Sequence, residues 1–467
     1  MFNELDHLDI KNFNQLTEIM KCQGVMKVLI KNLPKNNNDK NQIYFHHDPS
    51  LLNLVFDLTF GEREPSKSRK KNSDYGSPIV EAVFNNFNWI STRGSLQKVP
   101  HCKGILYSQY PEVRLSGFKS ENGLMPNSLS ISFTKEDSGK TSRYLAIGAD
   151  QKGNAFGLMV VDTKNLLLEE FKSLPLFADS KICRIISIDS SSPSIQLKSL
   201  LESRISGKDV KGCRLTADGE TVPFTGTQVH GYTLEHELGI QTNASKEGDY
   251  LGIELKCFTT PKLTLFTPEP DGGIYKDSFE SFMRNYGYKK DKAFRLTGLH
   301  RAGIKSEKSG LTLNIICKSK NLEDPEFYTY KTSKPFKDQL RDLQVVLLDM
   351  NNTIAASWSL TRLLNNWGVK HNEVFYVPAK VKVNNNINEF NAGFKKRVYF
   401  GTEYLWCRKS NMEKIITSIS DGTVFLDPAP KFVPDNLSEN KRRSQWRLNN
   451  ISRDAHSLYD LVELVKM

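Results

Sequence analysis

Gly248-Asp-Tyr-Leu-Gly-Ile-Glu-Leu-Lys-Cys-Phe258 is the stretch from which the fold is read. Its latter part predicts a strand, along which successive side chains point to opposite faces. Leu251, Ile253, Leu255 and Cys257 then share one apolar face, while Glu254 and Lys256 share the other, about 7 Å apart. A carboxylate and an ammonium on one side of an apolar strand are costly to bury without a purpose. With Asp249 supplied from just before the strand, two carboxylates can hold a hard, oxygen-preferring cation such as Mg2+, with Mn2+ as a substitute. Lys256 can then orient the attacking water and offset charge on a phosphate. By itself the Asp-x4-Glu-x-Lys pattern favours a plain surface strand with a same-face salt bridge, so the surrounding chain has to decide.

Upstream, residues 233–238 predict a helix start, with Leu234 and Leu238 four apart on one face. Glu235 on that helix reads, from the residues alone, as a solvated carboxylate. Downstream, 279–286 and 357–367 predict helices, and 311–316, 374–377 and 398–404 predict strands. The spacing of Leu458, Leu461, Val462 and Val465 predicts a closing amphipathic helix over 454–466. The first part of the chain reads as mostly β. Residues 26–31, 42–45, 129–133, 143–147 and 156–161 are short apolar runs separated by polar or Gly/Asn-rich turns. Between them lies a basic run with Lys67, Arg69, Lys70 and Lys71, either a solvated loop or a phosphate-contacting arm. A Ser/Asp-rich segment at 189–194 leads into a helical stretch over 195–205 and marks the domain boundary. The expected division is therefore 1–195 and 205–467.

A chain of 467 residues exceeds one ordinary core. At 38% hydrophobic and 25% charged residues it belongs with globular rather than disordered proteins. The longest apolar runs fall far short of the roughly 20 residues of a membrane span. The acidic start, Met1-Phe-Asn-Glu-Leu-Asp, lacks the pattern of a signal peptide, so a cytoplasmic protein is expected. The seven cysteines are scattered singly with no CxxC pair, so their spacing predicts neither a disulfide framework nor a zinc site. A net charge of +11 favours a polyanionic partner. No GxxxxGK[ST] loop occurs, which argues against nucleotide-driven translocation.

The context of the opening stretch resembles the catalytic core of the MvaI/BcnI restriction endonucleases. The likeness rests on His230-Gly-Tyr-Thr-Leu-Glu-His-Glu-Leu-Gly-Ile240, Asn243, and then Gly-Asp-Tyr-Leu-Gly-Ile-Glu-Leu-Lys256. In that family a Thr-Leu-Glu helix precedes an aspartate, a Gly-Ile-Glu-Leu-Lys strand follows, and the interval between the acids is short. The likeness continues through Lys262-Leu-Thr-Leu-Phe-Thr-Pro-Glu-Pro270, Phe282-Met-Arg-Asn-Tyr-Gly-Tyr288, Ser357-Trp-Ser359 and Ser444-Gln-Trp-Arg-Leu448, covering about 205–467. One departure is Gly248, where the family usually has proline; it affects the turn rather than the chemistry.

This resemblance implies an α/β fold: a mixed sheet flanked by helices, the PD-(D/E)XK nuclease core, behind a separate, mostly-β N-terminal domain. It implies a type II restriction endonuclease that hydrolyses DNA with magnesium and leaves 5′-phosphate ends. Double-stranded DNA would be the substrate, a cognate DNA methyltransferase the genetic partner, and a monomer the expected state. Asp249 and Glu254 would be metal ligands, Lys256 the catalytic lysine and Glu235 an additional active-site acid. DNA reading would fall to a lobe after the core, near 424–453, where Asp427, Lys431, Arg442, Arg443 and Arg447 are dense. The size and β content of the N-terminal domain suit the pseudobarrel DNA-binding domain of EcoRII, with Arg114 and Lys70 as contact candidates. A repair or nicking endonuclease on the same core, or a non-catalytic DNA-binding protein, are the rival readings.

Overall fold

The computed structural model describes residues 2–34, 43–56, 58–63, 79–107, 112–137, 140–178, 180, 182–188, 193–240, 249–250, 252–321, 324–368 and 370–467. The chain forms two compact units, Met1–Ser190 with Lys320–Pro325, and Ser191–Ser319 with Glu326–Met467.

The first unit is mostly β. Its larger sheet runs Cys183–Ser187, Lys27–Asn32, Ser142–Ala149, Asn154–Asp162, Asn86–Ile90 and Leu96–Val99 in spatial order, with Asp6–His7 also paired to Asn154–Asp162. The helix Phe13–Lys21 is capped by Asn12, whose side chain accepts from the Gln15 N–H, and buries Phe13, Leu16 and Met20. These pack with Val28, Ile30, Tyr144, Ala146, Leu158 and Val160 from the sheet. The second sheet is antiparallel, in the order Ile43–His46, Glu112–Ser116, Lys103–Tyr107, Ile79–Phe84 and Leu58–Arg63. Four of the five strands expected in this unit are found. The fifth, at 129–133, is instead a 3-10 turn and a helix, Ile131–Glu136. Ser130 accounts for the difference: its hydroxyl accepts from the Phe133 N–H at 3.1 Å and starts a helix where alternating apolar residues suggested a strand.

The second unit is built on a six-stranded mixed sheet. Asp209–Lys211, Lys396–Phe400, Glu373–Val383, Glu403–Arg408 and Leu461–Lys466 follow one another, and Glu254–Phe258 pairs in parallel with Val374–Pro378. The alternation read from the sequence is realised. Ile253 and Leu255 are buried, with Cys257 beside them, against Leu234 from the Val229–Glu237 helix, Leu238 that caps it, and Leu197 and Leu201 from the Pro193–Arg204 helix. Around this layer lie a four-stranded sheet, Phe327–Thr329, Thr312–Lys318, Gln344–Leu348 and Ile354–Ser359, and a three-stranded one, Leu263–Phe266, Trp446–Leu448 and Phe425–Leu426.

Three expectations in this unit are corrected. Residues 357–359 end a strand instead of beginning a helix. Trp358 is buried in it, donating its indole N–H to the Pro268 carbonyl at 2.8 Å, and the helix starts only after Ser359, whose hydroxyl accepts from the Arg362 N–H. The expected strand 398–404 is two strands joined at Gly401 and Thr402. The closing helix stops at Leu458, and Leu461–Lys466 is an edge strand pairing over six residues with Glu403–Arg408. The buried Tyr459 leaves the helix with extended backbone and its hydroxyl hydrogen-bonds that of Tyr376 at 2.8 Å, which turns the chain towards the open sheet edge.

Candidate active site

The short interval between Asp249 and Glu254 is made possible by a tight turn. Tyr250 and Ile253 exchange two backbone hydrogen bonds, of 3.0 and 2.9 Å, and Gly252 holds φ +83°, a conformation that suits glycine. The turn folds Asp249 back on the strand that follows, where its Oδ2 accepts from the Leu255 N–H at 2.8 Å. Glu254 and Lys256, two apart on one face, form an ion pair of 2.6 Å. Glu254 is 4% exposed, and its second oxygen, Oε2, has no hydrogen-bond partner among the described residues. Glu235 approaches from the Val229–Glu237 helix, which is anchored by Val229, Thr233 and Leu234.

The charges of these groups are mutually dependent. Burial, then Asp249 and Glu254, push the Glu235 carboxyl up to about 7. Burial and Glu254 push Asp249 up to about 6. Burial also acts to raise Glu254, yet Lys256 beside it holds its carboxyl below the ordinary range. Burial in turn opposes the charge on Lys256, but Glu254 and the other two acids outweigh it and raise the ammonium. Three carboxyls thus crowd one lysine in a largely dry place. Clustered carboxylate oxygens, one of them buried without a partner, and two carboxyls raised by burial and by neighbouring acids are what a hard divalent cation relieves, so the acids present fit Mg2+.

This coupling has a stability consequence. Between the ordinary glutamate value and about 7, the folded chain holds more protons than the unfolded one, so metal-free stability from Glu235 is lost as pH rises through that window. Glu235→Gln, which cannot ionise, is expected to match the native protein in Tm at pH 4.5 in EDTA. At pH 8 it should exceed the native Tm by roughly a few °C. Equal Tm values at pH 8 would mean that Glu235 does not share this crowded site.

Two further residues face the acids and carry no signal in the local sequence. Lys370 exerts a favourable charge on Glu235, Asp249 and Glu254. His371 is buried, stacked on Trp367 at 4.1 Å, with Nε2 3.2 Å from the Leu265 carbonyl. Burial lowers its pKa to about 3, so it faces the site as a neutral imidazole. Both immediately precede the strand that pairs with Glu254–Phe258, more than a hundred residues downstream.

The residues expected to touch DNA are not brought to this cluster. Asp427 accepts from Lys262 Nζ and Arg447 Nη1, each at 2.8 Å, and Arg447 Nε also donates to Thr264 at 2.9 Å. Burial opposes the charge on Asp427, but those two cations hold its carboxyl below the usual range. Arg442 pairs with Glu269 at 2.6 Å over the Phe279 ring, Lys431 pairs with Glu439 at 2.7 Å, and Arg443 is exposed. In the first unit Arg114 pairs with Glu112 and lies over Tyr107. Lys70, with Lys67, Arg69 and Lys71, lies outside the described residues.

The second unit is thus a mixed α/β sheet with flanking helices, in which three acids and a lysine from one strand, its preceding turn and one helix come together. The model of the MvaI/BcnI restriction endonuclease family matches residues 203–459, more than half of the chain, and the protein belongs to that family. Two solved structures are similar. The restriction endonuclease MvaI–cognate DNA substrate complex is 15% identical, with 59% of this chain and 99% of that chain covered and a TM-score of 0.43. The same enzyme in the absence of DNA is 13% identical at the same coverages, with a TM-score of 0.31. No curated protein matches the chain in sequence. No described helix is long and apolar enough to cross a membrane.

Proposed function

We propose that this protein is a type II restriction endonuclease that cuts both strands of DNA at a short specific site, using magnesium and leaving 5′-phosphate and 3′-hydroxyl ends. The observation that carries this reading is the convergence of Glu235, Asp249 and Glu254 on Lys256, with Glu254 Oε2 left without a partner. Asp249 and Glu254 would hold the ion, which when bound supplies positive charge to the phosphate undergoing attack.

The chain's own groups do the rest. The Leu255 N–H fixes Oδ2 of Asp249, and the other oxygen would be the one to hold the ion. Lys256 carries a firmly held proton, so it acts as a hydrogen-bond donor and cation, orienting the attacking water and stabilising charge that grows on the phosphate oxygens. Glu235, held near neutrality, is suited to accept a proton from that water. Asp427, Lys431, Arg442, Arg443 and Arg447 are the candidates for DNA contact, with Asp427 also holding Arg447; arginine can pair with guanine bidentately. The first unit is read as a DNA-binding domain that adds affinity, with Arg114 and Lys70 as its candidates. A host would need a DNA methyltransferase to protect its own copies of the site.

Incubation of purified protein with bacteriophage λ DNA and Mg2+ tests the reading. Discrete fragments with ends at one recurring sequence are expected, and none in excess EDTA. Random degradation, cleavage of one strand only, or robust cutting in EDTA would overturn it.

A further inference from the structure

A second cluster of metal-ligating side chains joins the helix that carries Glu235 to a hairpin. Cys213 opens the short strand Cys213–Leu215, which pairs with Thr221–Pro223 as a hairpin. The Val229–Glu237 helix is fastened to that hairpin through Thr233. Its hydroxyl accepts from the Cys213 N–H at 3.2 Å and donates to the Cys213 carbonyl at 3.3 Å. His236 and Glu237 follow three and four residues later, one helical turn on, and so come to the same side of the helix. One ligand atom each from Cys213, His236 and Glu237 lie within 4.8 Å of one another.

We propose that Cys213, His236 and Glu237 form a zinc-class metal site that clamps the hairpin to the helix bearing Glu235. One sulfur, one imidazole nitrogen and one carboxylate oxygen are a donor set for a borderline cation such as Zn2+ or Co2+, not for magnesium. The geometry agrees. His236 Nδ1 lies 3.0 Å from Glu237 Oε1. Two donors that each reach a zinc ion at about 2.0–2.1 Å stand roughly 3.3 Å apart in a tetrahedron. The other ring nitrogen, Nε2, is 2.8 Å from Thr221 Oγ1, so with Nδ1 on the metal its N–H donates to that hydroxyl. Such an outer hydrogen bond fixes the tautomer and aim of a metal-bound histidine. Cys213 is fully buried, while His236 and Glu237 are 18% and 24% exposed, so the site is reachable from solvent on one side. Coordination breaks the Cys213 S–H bond, forms a sulfur–metal bond and releases the proton to buffer.

The site is separate from the Asp249/Glu254 pair and its test does not depend on nuclease activity. Full-length protein carrying Asp249→Asn and Glu254→Gln, which weakens cation binding at the acids, is titrated with Co2+ alone. One equivalent is expected to give a thiolate-to-cobalt charge-transfer band in the near ultraviolet and the intense visible bands of a tetrahedral ion. Cys213→Ala should remove the charge-transfer band, and Glu237→Gln should weaken Co2+ and Zn2+ binding by roughly tenfold or more. Cys257→Ala, which removes another thiol of the same unit, should keep it. Absence of the band at one equivalent, or its survival in Cys213→Ala, overturns the proposal. Because Glu237→Gln leaves the buried cysteine in place, a folding failure of Cys213→Ala would not shield it: unchanged affinity in Glu237→Gln also counts against the site.

Discussion

Lys256→Ala is expected to lower DNA cleavage by about 10³-fold or more, a loss of roughly 4 kcal/mol of transition-state stabilisation. Binding to a specific site, measured with Ca2+ so that the DNA stays intact, should remain within about tenfold of the native value. The reason lies in where the ammonium sits. It is 2.6 Å from Glu254 and raised in pKa by all three acids, so it is a fixed cation at the point where a phosphate would gain charge. Its removal also leaves Glu254, 4% exposed, without its ion-pair partner, and a broken buried pair costs about 3–5 kcal/mol. Metal-free Tm should therefore fall in this variant and recover in part with a divalent cation, which separates a chemical loss from a folding loss. Cleavage at the normal rate by Lys256→Ala would remove the lysine from the proposed reaction.

The second large effect concerns the acids. Native protein given Ca2+ in place of Mg2+ is expected to bind its DNA site without cutting it, because calcium accepts the same oxygen donors with looser geometry. Asp249→Asn should lose both cleavage in Mg2+, by about 10³-fold or more, and the gain in DNA affinity that Ca2+ provides. The amide introduced by this substitution would keep the hydrogen bond from the Leu255 N–H, since an amide oxygen accepts as a carboxylate does, so the turn through Gly252 survives. The variant thus tests charge, not shape. Persistence of the Ca2+ effect on binding in Asp249→Asn would place the ion elsewhere.

Much of this centre could be read along the chain because strand and helix periods are local properties. The two-residue period put Glu254 and Lys256 on one face and Ile253, Leu255 and Cys257 on the other, and the structure has the ion pair and the core contact that follow. Leu234 and Leu238, four apart, located the helix that carries Glu235, though it begins earlier, at Val229. The same reasoning failed where a local pattern competed with a distant partner. Leu458, Leu461, Val462 and Val465 fit a helix, but the open edge at Glu403–Arg408 takes Leu461–Lys466 as a strand.

What the sequence by itself determined is the strand of the candidate site, the face that Glu254 and Lys256 share on it, and the family to which the chain belongs. Tertiary structure alone decided their company. Parallel pairing of Glu254–Phe258 with Val374–Pro378 brings Lys370 and His371 to the acids from more than a hundred residues away. Packing of one helix on one hairpin sets Cys213 beside His236 and Glu237, a cluster that isolated cysteines without a CxxC spacing do not announce. Lys262 and Arg447 likewise meet on Asp427 only because their strands lie side by side. The physical reason is common to all three. A side chain's face follows from the period of its own element, whereas its neighbours follow from which elements find one another, and that choice is made by burial over the whole core.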